Sequence, residues 1–255
     1  MTGRATLLVS AAAAMAGAVV ACTDIPSEPG AVLSFSVDSL PFPSVVLGDS
    51  LRDTAGVVSP LTVTAYNFQG AVIPDVPVRF STRDRGVSVD SVTGIVTGDS
   101  LRSTPARLVA RVGTLEAPFS LDVTLRPDTV AAVAARDSLL YSLIDTTVNV
   151  STPLTVRVRH GLGSSDSAVK AWLVTFAIVS PGDTALARLV DEGGRASLTD
   201  TTDAGGVAGR RIRLNAARVT SARDSVVLQA SVKYRGAHIR GSPVRLVLIV
   251  RPRTP

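Results

Sequence analysis

Apolar and polar residues alternate with a period of two in several short segments of this chain. The alternation runs through Leu61–Tyr66, Val76–Phe80 and Ala106–Val112. Turn-forming segments such as Asn67–Gly70 interrupt it. A period of two places one face of a β-strand on a core and the other in water. The sequence therefore predicts an all-β chain after its N-terminal segment, with only a weak helical pattern at Thr129–Leu143.

The N-terminal segment follows a different pattern. Arg4 precedes an apolar run of 17 residues, Ala5–Ala21, and the run ends at Cys22, the only cysteine of the chain. A basic residue, an apolar stretch and small residues form the layout of a secretory signal. A helix that spans a membrane needs about 20 apolar residues. We therefore predict a signal peptide over residues 1–21 and export of the remainder.

The end of this segment, Val19–Cys22, resembles the lipobox of bacterial lipoproteins. In that family the cysteine is lipidated and becomes the new N-terminus, which implies lipidation at Cys22 and a membrane anchor. Residues 22–31 then form a lipidated tether. Thr23 follows the cysteine in place of aspartate, which by resemblance to enterobacterial sorting implies the outer membrane, at its periplasmic face or at the cell surface. Soluble export after cleavage and a retained helix are the alternatives.

The basic residues are mostly arginine and are spread along the chain. Arginine supplies 24 of the 26 basic residues, and the net charge is +5. The densest group, Arg210–Arg213, has no neighbouring aromatic residues on which bases could stack. We therefore predict that nucleic acid is not a partner. Because one cysteine cannot form an intramolecular disulfide, the fold must depend on its apolar core.

Six strand-like segments follow one another in residues 32–127. They are Val45–Ser50, Leu61–Ala65, Pro74–Thr82, Val89–Val96, Ala106–Val112 and Phe119–Leu125. Their order, with a glycine-containing hairpin and a closing strand, resembles a bacterial immunoglobulin-like (Big) domain. The resemblance implies a first β-sandwich over residues 32–127.

A second set of segments lies in residues 128–252. Pro153–Val158, Ala171–Ile178 and the turn at Thr199–Ala208 resemble the immunoglobulin-like domains that are repeated in invasin and intimin. The resemblance implies a second β-sandwich over residues 128–252, joined to the first near Arg126–Asp128. Alternation places four core candidates on one strand face, namely Trp172, Val174, Phe176 and Ile178.

Two segments of the second region depart from the family pattern and leave its strand order open. Leu186–Ala196 and Asn215–Asp224 have no regular alternation, so we expect irregular structure in both.

One motif raises the question of catalysis. Gly48–Leu51 and Gly98–Leu101 both read Gly-Asp-Ser-Leu, which resembles the nucleophile block of the GDSL esterases. In that family a histidine in an Asp-x-x-His block activates the serine, but arginine precedes both His160 and His238 at the aspartate position. A serine without a base keeps its proton. We therefore predict no catalytic residues, and expect both tetrads to form turns in which Asp and Ser bind backbone amides.

Metal and cofactor sites have little support. Two histidines 78 positions apart, with no cysteine beside them, do not form a zinc motif. Calcium ligands remain conceivable at Asp200 and Asp203, together with Asp183 or Asp191, although solvated turn aspartates explain the same residues. We predict no metal site and no cofactor.

Three functional classes follow from these observations. The first is a non-catalytic, membrane-anchored lipoprotein of the cell envelope, whose domains serve in adhesion, as a stalk or in contact with a protein or glycan partner. The second is a module that binds carbohydrate or envelope polymer, for which exposed aromatics are required and Trp172, Tyr66, Tyr141 and Tyr234 are the candidates. The third is a GDSL-type esterase. The first class is our prediction.

Overall fold

The computed structural model describes residues 28, 30–161, 166–183, 185–220 and 225–253. Its regular elements are β-strands and two short 3₁₀ helices, Thr146–Val148 and Ala216–Arg218. The strands are β1 Ser34–Val37, β2 Ser44–Val46, β3 Val63–Tyr66, β4 Val72–Ile73, β5 Val78–Thr82, β6 Val87–Val89, β7 Val96–Gly98, β8 Ala106–Val112, β9 Leu115–Thr124, β10 Thr129–Ala132, β11 Arg136–Tyr141, β12 Leu154–His160, β13 Ser167–Ala168, β14 Leu173–Ser180, β15 Ala187–Val190, β16 Thr199–Thr201, β17 Val207–Leu214, β18 Ser225–Ser231, β19 Lys233–Tyr234, β20 Ala237–His238 and β21 Val244–Pro252.

The strands pair within two groups. In the first, β1-β3-β4 and β2-β9-β8-β5 form sheets and β6 pairs with β7. In the second, the sheets are β10-β12-β17-β15, with β13 beside β12, and β11-β21-β18-β14-β16, while β19 and β20 form a hairpin. Among the strands described, none of β1–β9 pairs with any of β10–β21. We refer to the two groups as the N-terminal and C-terminal sandwiches.

Both sandwiches repeat one topology. β1 runs antiparallel to β3 while β2 runs parallel to β9, and in the same way β10 runs antiparallel to β12 while β11 runs parallel to β21. The last strand of each sandwich then pairs antiparallel with an earlier strand, β9 with β8 and β21 with β18, as an immunoglobulin-like sandwich requires. The prediction of an all-β fold with tandem immunoglobulin-like sandwiches is confirmed. The boundaries at 127 and 128 stay a prediction.

The cores form where the alternating pattern points inward. In β8 the side chains of Ala106, Leu108, Ala110 and Val112 are buried, while the intervening Arg107 and Arg111 are exposed. Strand β12 behaves in the same way, with Leu154, Val156 and Val158 in the core. Burial of each such aliphatic side chain contributes about 1.5–3 kcal/mol relative to exposure.

The predicted core face of β14 is also present. Trp172, Val174 and Phe176 are buried, and Ile178 is half-buried where a register shift interrupts the pairing of β14 with β18. The turn before β17 is fixed by Asp203, whose Oδ1 accepts hydrogen bonds from the amides of Gly205 and Val207.

Two predictions of local structure were wrong. The weak helical pattern at Thr129–Leu143 forms the strands β10 and β11, because pairing with β12 and β21 supplies partners that a local pattern does not show. Within Leu186–Ala196, where irregular structure was expected, β15 pairs with β17. Ala187 and Leu189 point into the core and Arg188 points outward, so the alternation exists over three residues before the buried Val190.

We expect Phe176→Ala to lower the free energy of unfolding by about 3–5 kcal/mol, because it leaves a cavity in the C-terminal core. Val179→Ala, which truncates an exposed side chain nearby, should change it by no more than about 0.5 kcal/mol. Chemical unfolding followed by circular dichroism measures both. Equal losses in the two variants would contradict the assigned core.

Candidate functional site

The most elaborate arrangement of polar and aromatic side chains lies where the two sandwiches meet. The segment after β2 contacts the start of β14 and the β19–β20 hairpin. Ser44 Oγ donates a hydrogen bond to the carbonyl oxygen of Ala171 at 2.8 Å. Lys170 Nζ donates to Asp122 Oδ1 and to the carbonyl oxygen of Arg102, both at 2.9 Å. We call this region the junction.

Aromatic rings form the apolar part of the junction. Trp172 is 4% exposed and lies between Phe42 of the N-terminal sandwich and Tyr234, with ring centroids 4.6 and 6.1 Å apart. Both ring pairs are tilted, a geometry that contributes about 0.5–1.5 kcal/mol per pair beyond burial. Thr202 holds Trp172 in position, because Thr202 Oγ1 accepts a hydrogen bond from the backbone amide of Trp172 at 2.9 Å.

A single carboxylate organises the polar part. Asp49 is 8% exposed and accepts hydrogen bonds from Arg52 Nε and Nη2, both at 3.0 Å, from Tyr234 Oη at 2.9 Å and from Arg235 Nε at 3.0 Å. The amide of Ser50 adds another bond at 2.9 Å. Arg235 also lies 5.4 Å from the centroid of the Tyr234 ring. We call Asp49, Arg52, Tyr234 and Arg235 the Asp49 cluster.

The electrostatics of this cluster favour a charged Asp49. Burial alone would raise the pKa of its carboxyl, but the hydrogen bonds from Arg52, Tyr234, Arg235 and the Ser50 amide outweigh burial and hold that pKa well below its ordinary value. Burial, together with the neighbouring Asp49 charge, raises the pKa of Tyr234, which therefore remains a hydrogen-bond donor.

Two glycine turns let the backbones of the sandwiches meet beside the cluster. Gly56 and Gly236 have φ of +88° and +78°, in the region that favours glycine. A Cβ atom at Gly56 would lie 2.2 Å from the Arg235 carbonyl carbon, and one at Gly236 would lie 2.5 Å from the Ala55 oxygen. The cavity left between the two surfaces is about 30 Å³. A space of that size suits a water molecule rather than a substrate, so we interpret the junction as a structural joint.

The structure brings the two Gly-Asp-Ser-Leu tetrads together. The amide of Gly48 donates a hydrogen bond to the carbonyl oxygen of Gly98 at 2.7 Å. The amide of Gly98 donates one to the backbone carbonyl oxygen of Asp49 at 3.1 Å. The expected turn contact is present at Asp49, which binds the Ser50 amide. At the second tetrad Asp99 instead accepts from Ser88 Oγ at 3.2 Å.

The histidines lie away from both tetrad serines. His160 Nδ1 is 2.8 Å from Asp128 Oδ2 and 2.9 Å from the Arg126 oxygen, while His238 Nδ1 is 2.9 Å from Ser242 Oγ. In the part of the chain that the structure describes, neither histidine forms a hydrogen bond with Ser50 or Ser100. Nucleophile and base are therefore not assembled at these tetrads.

The four candidate calcium ligands bind protein groups. Asp183, Asp191 and Asp203 each accept a backbone amide through Oδ1. Asp200 lies 3.0 Å from Arg210 Nη1 and accepts the Gly209 amide at 2.8 Å. Within the described ranges, no three His, Cys, Asp or Glu residues are grouped so that they could hold a metal ion.

The aromatic candidates do not form a binding platform in the described structure. Trp172 is buried in the junction, and Tyr66, Tyr141 and Tyr234 are half-buried. Tyr234 belongs to the Asp49 cluster.

The residues of the predicted signal peptide and Cys22 lie outside the described residues. Among the residues described, there is no helix long and apolar enough to cross a membrane.

No protein-family model and no curated protein matches the chain. Among solved structures, it is similar to domains 4 and 5 of the S-layer protein SbsC, with 12% identity over 85% of this chain and 96% of that chain and a TM-score of 0.30. It is also similar to human protocadherin-24 EC1-2, with 13% identity over 88% of this chain and 100% of that chain and a TM-score of 0.28. Scores at this level carry no argument about function, and the fold is assigned from the strand order.

We expect Asp49→Ala to lower the free energy of unfolding by about 1–3 kcal/mol, because it leaves Arg52, Tyr234 and Arg235 without their shared acceptor. Asp99→Ala is the matched control, since Asp99 occupies the same place in the second tetrad and is exposed. Its effect should stay within about 0.5 kcal/mol. Chemical unfolding of the three proteins at neutral pH tests this, and equal effects would refute the role of the cluster.

The Asp49 cluster also predicts a pH dependence. A carboxyl whose pKa is lowered on folding contributes stability above its ordinary pKa of 3.8, and this contribution is lost as the pH falls through the folded value. The stability difference between the wild type and Asp49→Asn should therefore be constant near neutral pH and shrink below about pH 4. Chemical unfolding over a pH series measures it. A difference that does not change in acid would contradict the lowered pKa.

Proposed function

We propose that this protein is a non-catalytic lipoprotein of the bacterial cell envelope. It is anchored to the outer membrane through lipid at Cys22, and its two immunoglobulin-like sandwiches serve as a stalk that carries a contact surface away from that membrane. The observation that carries the proposal is the junction, in which the Asp49 cluster joins the two sandwiches.

A stalk must hold its domains in a fixed relative orientation, and the contacts at the junction are suited to this. Hydrogen bonds at Ser44 and Lys170, the tilted ring contacts of Trp172 and the buried charge of Asp49 all act between the same two sandwiches. Rotation of one sandwich against the other would remove donors from Asp49 and leave a buried charge unpaired, which is costly. Such contacts favour one fixed orientation over a flexible linker.

The other two classes receive less support from the described residues. The serines of the Gly-Asp-Ser-Leu tetrads have no histidine in hydrogen-bonding contact, and the glycines of the tetrads pair the backbone. The single tryptophan is buried in the junction, so it does not provide a surface for stacking sugars. A role in contact and spacing therefore fits best.

The anchor is tested with Cys22→Ala in a chain that carries an epitope tag after Pro255. We expect the wild type to remain with the membrane fraction after a carbonate wash and the variant to become soluble, because the acyl chains hold the protein in the bilayer. Ser10→Ala is a matched control, since it changes the signal segment and leaves the cysteine. If the Cys22→Ala protein stays with the membranes, the lipid anchor is refuted.

Protease treatment of intact cells with the same tagged protein shows which side the stalk occupies. Loss of the tag while a periplasmic marker is spared indicates the cell surface. Protection until the outer membrane is opened indicates the periplasm.

A further inference from the structure

The C-terminal sandwich ends in a tip that faces away from the junction. Lys170 and Tyr234 of the junction lie just before β14 and just after β18, so the end of β14 and the start of β18 point away from it. β21 ends beside the start of β18, and β11 ends beside the end of β21. β17 ends beyond the start of β12, to which the loop after β11 leads. We define the tip as residues 142–150, 181–183, 185–188, 213–218 and 251–253.

Two adjacent aliphatic residues protrude from the tip. Leu143 is 70% exposed and Ile144 is 98% exposed. The loop that carries them is held by Asn149, which is buried, accepts the Ser142 amide at 2.7 Å and donates to the Ser142 oxygen at 2.8 Å. Ser142 Oγ in turn accepts the amides of Ile144 and Asp145. The loop conformation is therefore fixed by its own hydrogen bonds, and the two side chains are presented to solvent.

Five arginines belong to the tip. One of them, Arg213, extends its guanidinium toward the turn after β15, since a Cβ atom at Gly194 would lie 2.9 Å from Arg213 Nη2. Arg188 and Arg213 lie directly opposite each other on β15 and β17, where like charges destabilise a sheet. Both line an open cleft of about 720 Å³ beside Leu143. Three more arginines lie at the tip, Arg218, Arg251 and Arg253, and the last is placed by a 2.8 Å hydrogen bond from its amide to the Tyr141 oxygen. No ion pair joins any of these five to another described residue.

The net charge of the chain is concentrated in the same sandwich. Residues 128–252 contain 16 Lys and Arg against 10 Asp and Glu, whereas residues 32–127 contain 8 against 9. At the tip itself the five arginines face only two described acidic residues, Asp145 and Asp183. Asp145 accepts a hydrogen bond from the Thr147 amide through its Oδ1. Hydrogen bonds from Thr147 and, as a smaller contribution, the nearby Arg253 charge lower the pKa of the Asp145 carboxyl, so Arg253 is partly balanced by Asp145.

We propose that the tip is a docking site for an anionic lipid bilayer. Leu143 and Ile144 enter the boundary between head groups and acyl chains, and the arginines of the tip bind lipid phosphates. Two exposed aliphatic side chains on one loop offer too little apolar surface for a stable interface with a folded protein, which needs roughly 800 Å² from each partner. A bilayer deforms around such a loop, and its negative head groups complement the excess of arginine over acidic residues at the tip. The inference names a partner for the far end of the proposed stalk but does not depend on the anchor.

The test measures binding to lipid vesicles by co-sedimentation. The protein is residues 22–255 with Cys22→Ser, a form that retains every described residue and has no acyl chain. Vesicles contain phosphatidylcholine with phosphatidylglycerol, or phosphatidylcholine alone. We expect binding to the anionic vesicles and much weaker binding to the neutral ones, because the arginines contribute only at a negatively charged surface.

Two tip variants and two matched controls locate the binding site. Arg188→Ala/Arg213→Ala should lower the partition coefficient about fivefold per arginine, and Leu143→Ser/Ile144→Ser should lower it about tenfold or more. The first control is Arg79→Ala/Arg111→Ala, a directly opposed arginine pair of the N-terminal sandwich. The second is Val92→Ser, an exposed aliphatic residue in a turn there. Neither control should change the binding.

Circular dichroism and thermal unfolding of each variant verify that it is folded before binding is compared. The proposal is overturned if the wild type fails to bind anionic vesicles, or if it binds neutral vesicles equally well. It is also overturned if the tip variants bind like their controls. Since the protein tested carries no lipid, failure here would leave the anchor at Cys22 and the stalk unaffected.

Discussion

The buried charge of Asp49 is the constraint on which the arrangement of the two sandwiches depends. A carboxylate at 8% exposure is tolerated only with several donors, and here the donors come from both sides of the junction. The tilted aromatic contacts of Trp172 and the close approach of Gly56 to Gly236 both require the same orientation of the two sandwiches. Each contact is modest alone, but together they are compatible with one relative position of the sandwiches.

Much of the fold was predictable because a strand with one buried face alternates apolar and polar residues in its own sequence. The alternation over Ala106–Val112 gives β8 its observed bounds, and the face of Trp172, Val174 and Phe176 is the core wall of β14. The turn at Asp203 was equally local, since its side chain binds amides two and four residues ahead. The strand alternation and the turn both depend on residues close in the chain, so they can be predicted from the sequence.

The features that the sequence did not predict depend on distant partners. Strand β11 contains adjacent apolar residues, Leu139 and Leu140, and is a strand because β21 lies beside it. Asp49 was expected to cap a turn, which it does, but its other donors, Tyr234 and Arg235, are 185 and 186 positions away. The nearest signal was the Arg-Gly pair at 235–236, which marks a tight hairpin. Nothing local shows that this hairpin meets the first sandwich.

The parallel pairing of β2 with β9, and of β11 with β21, determines how the chain bears mechanical load. A pull that separates the N-terminal end of such a strand from the C-terminal end of its partner slides the two past each other, so all their hydrogen bonds resist together. Three residue pairs join β2 to β9, whereas six join β11 to β21. Under tension applied between the two ends of the chain, the N-terminal sandwich is therefore expected to yield before the C-terminal sandwich.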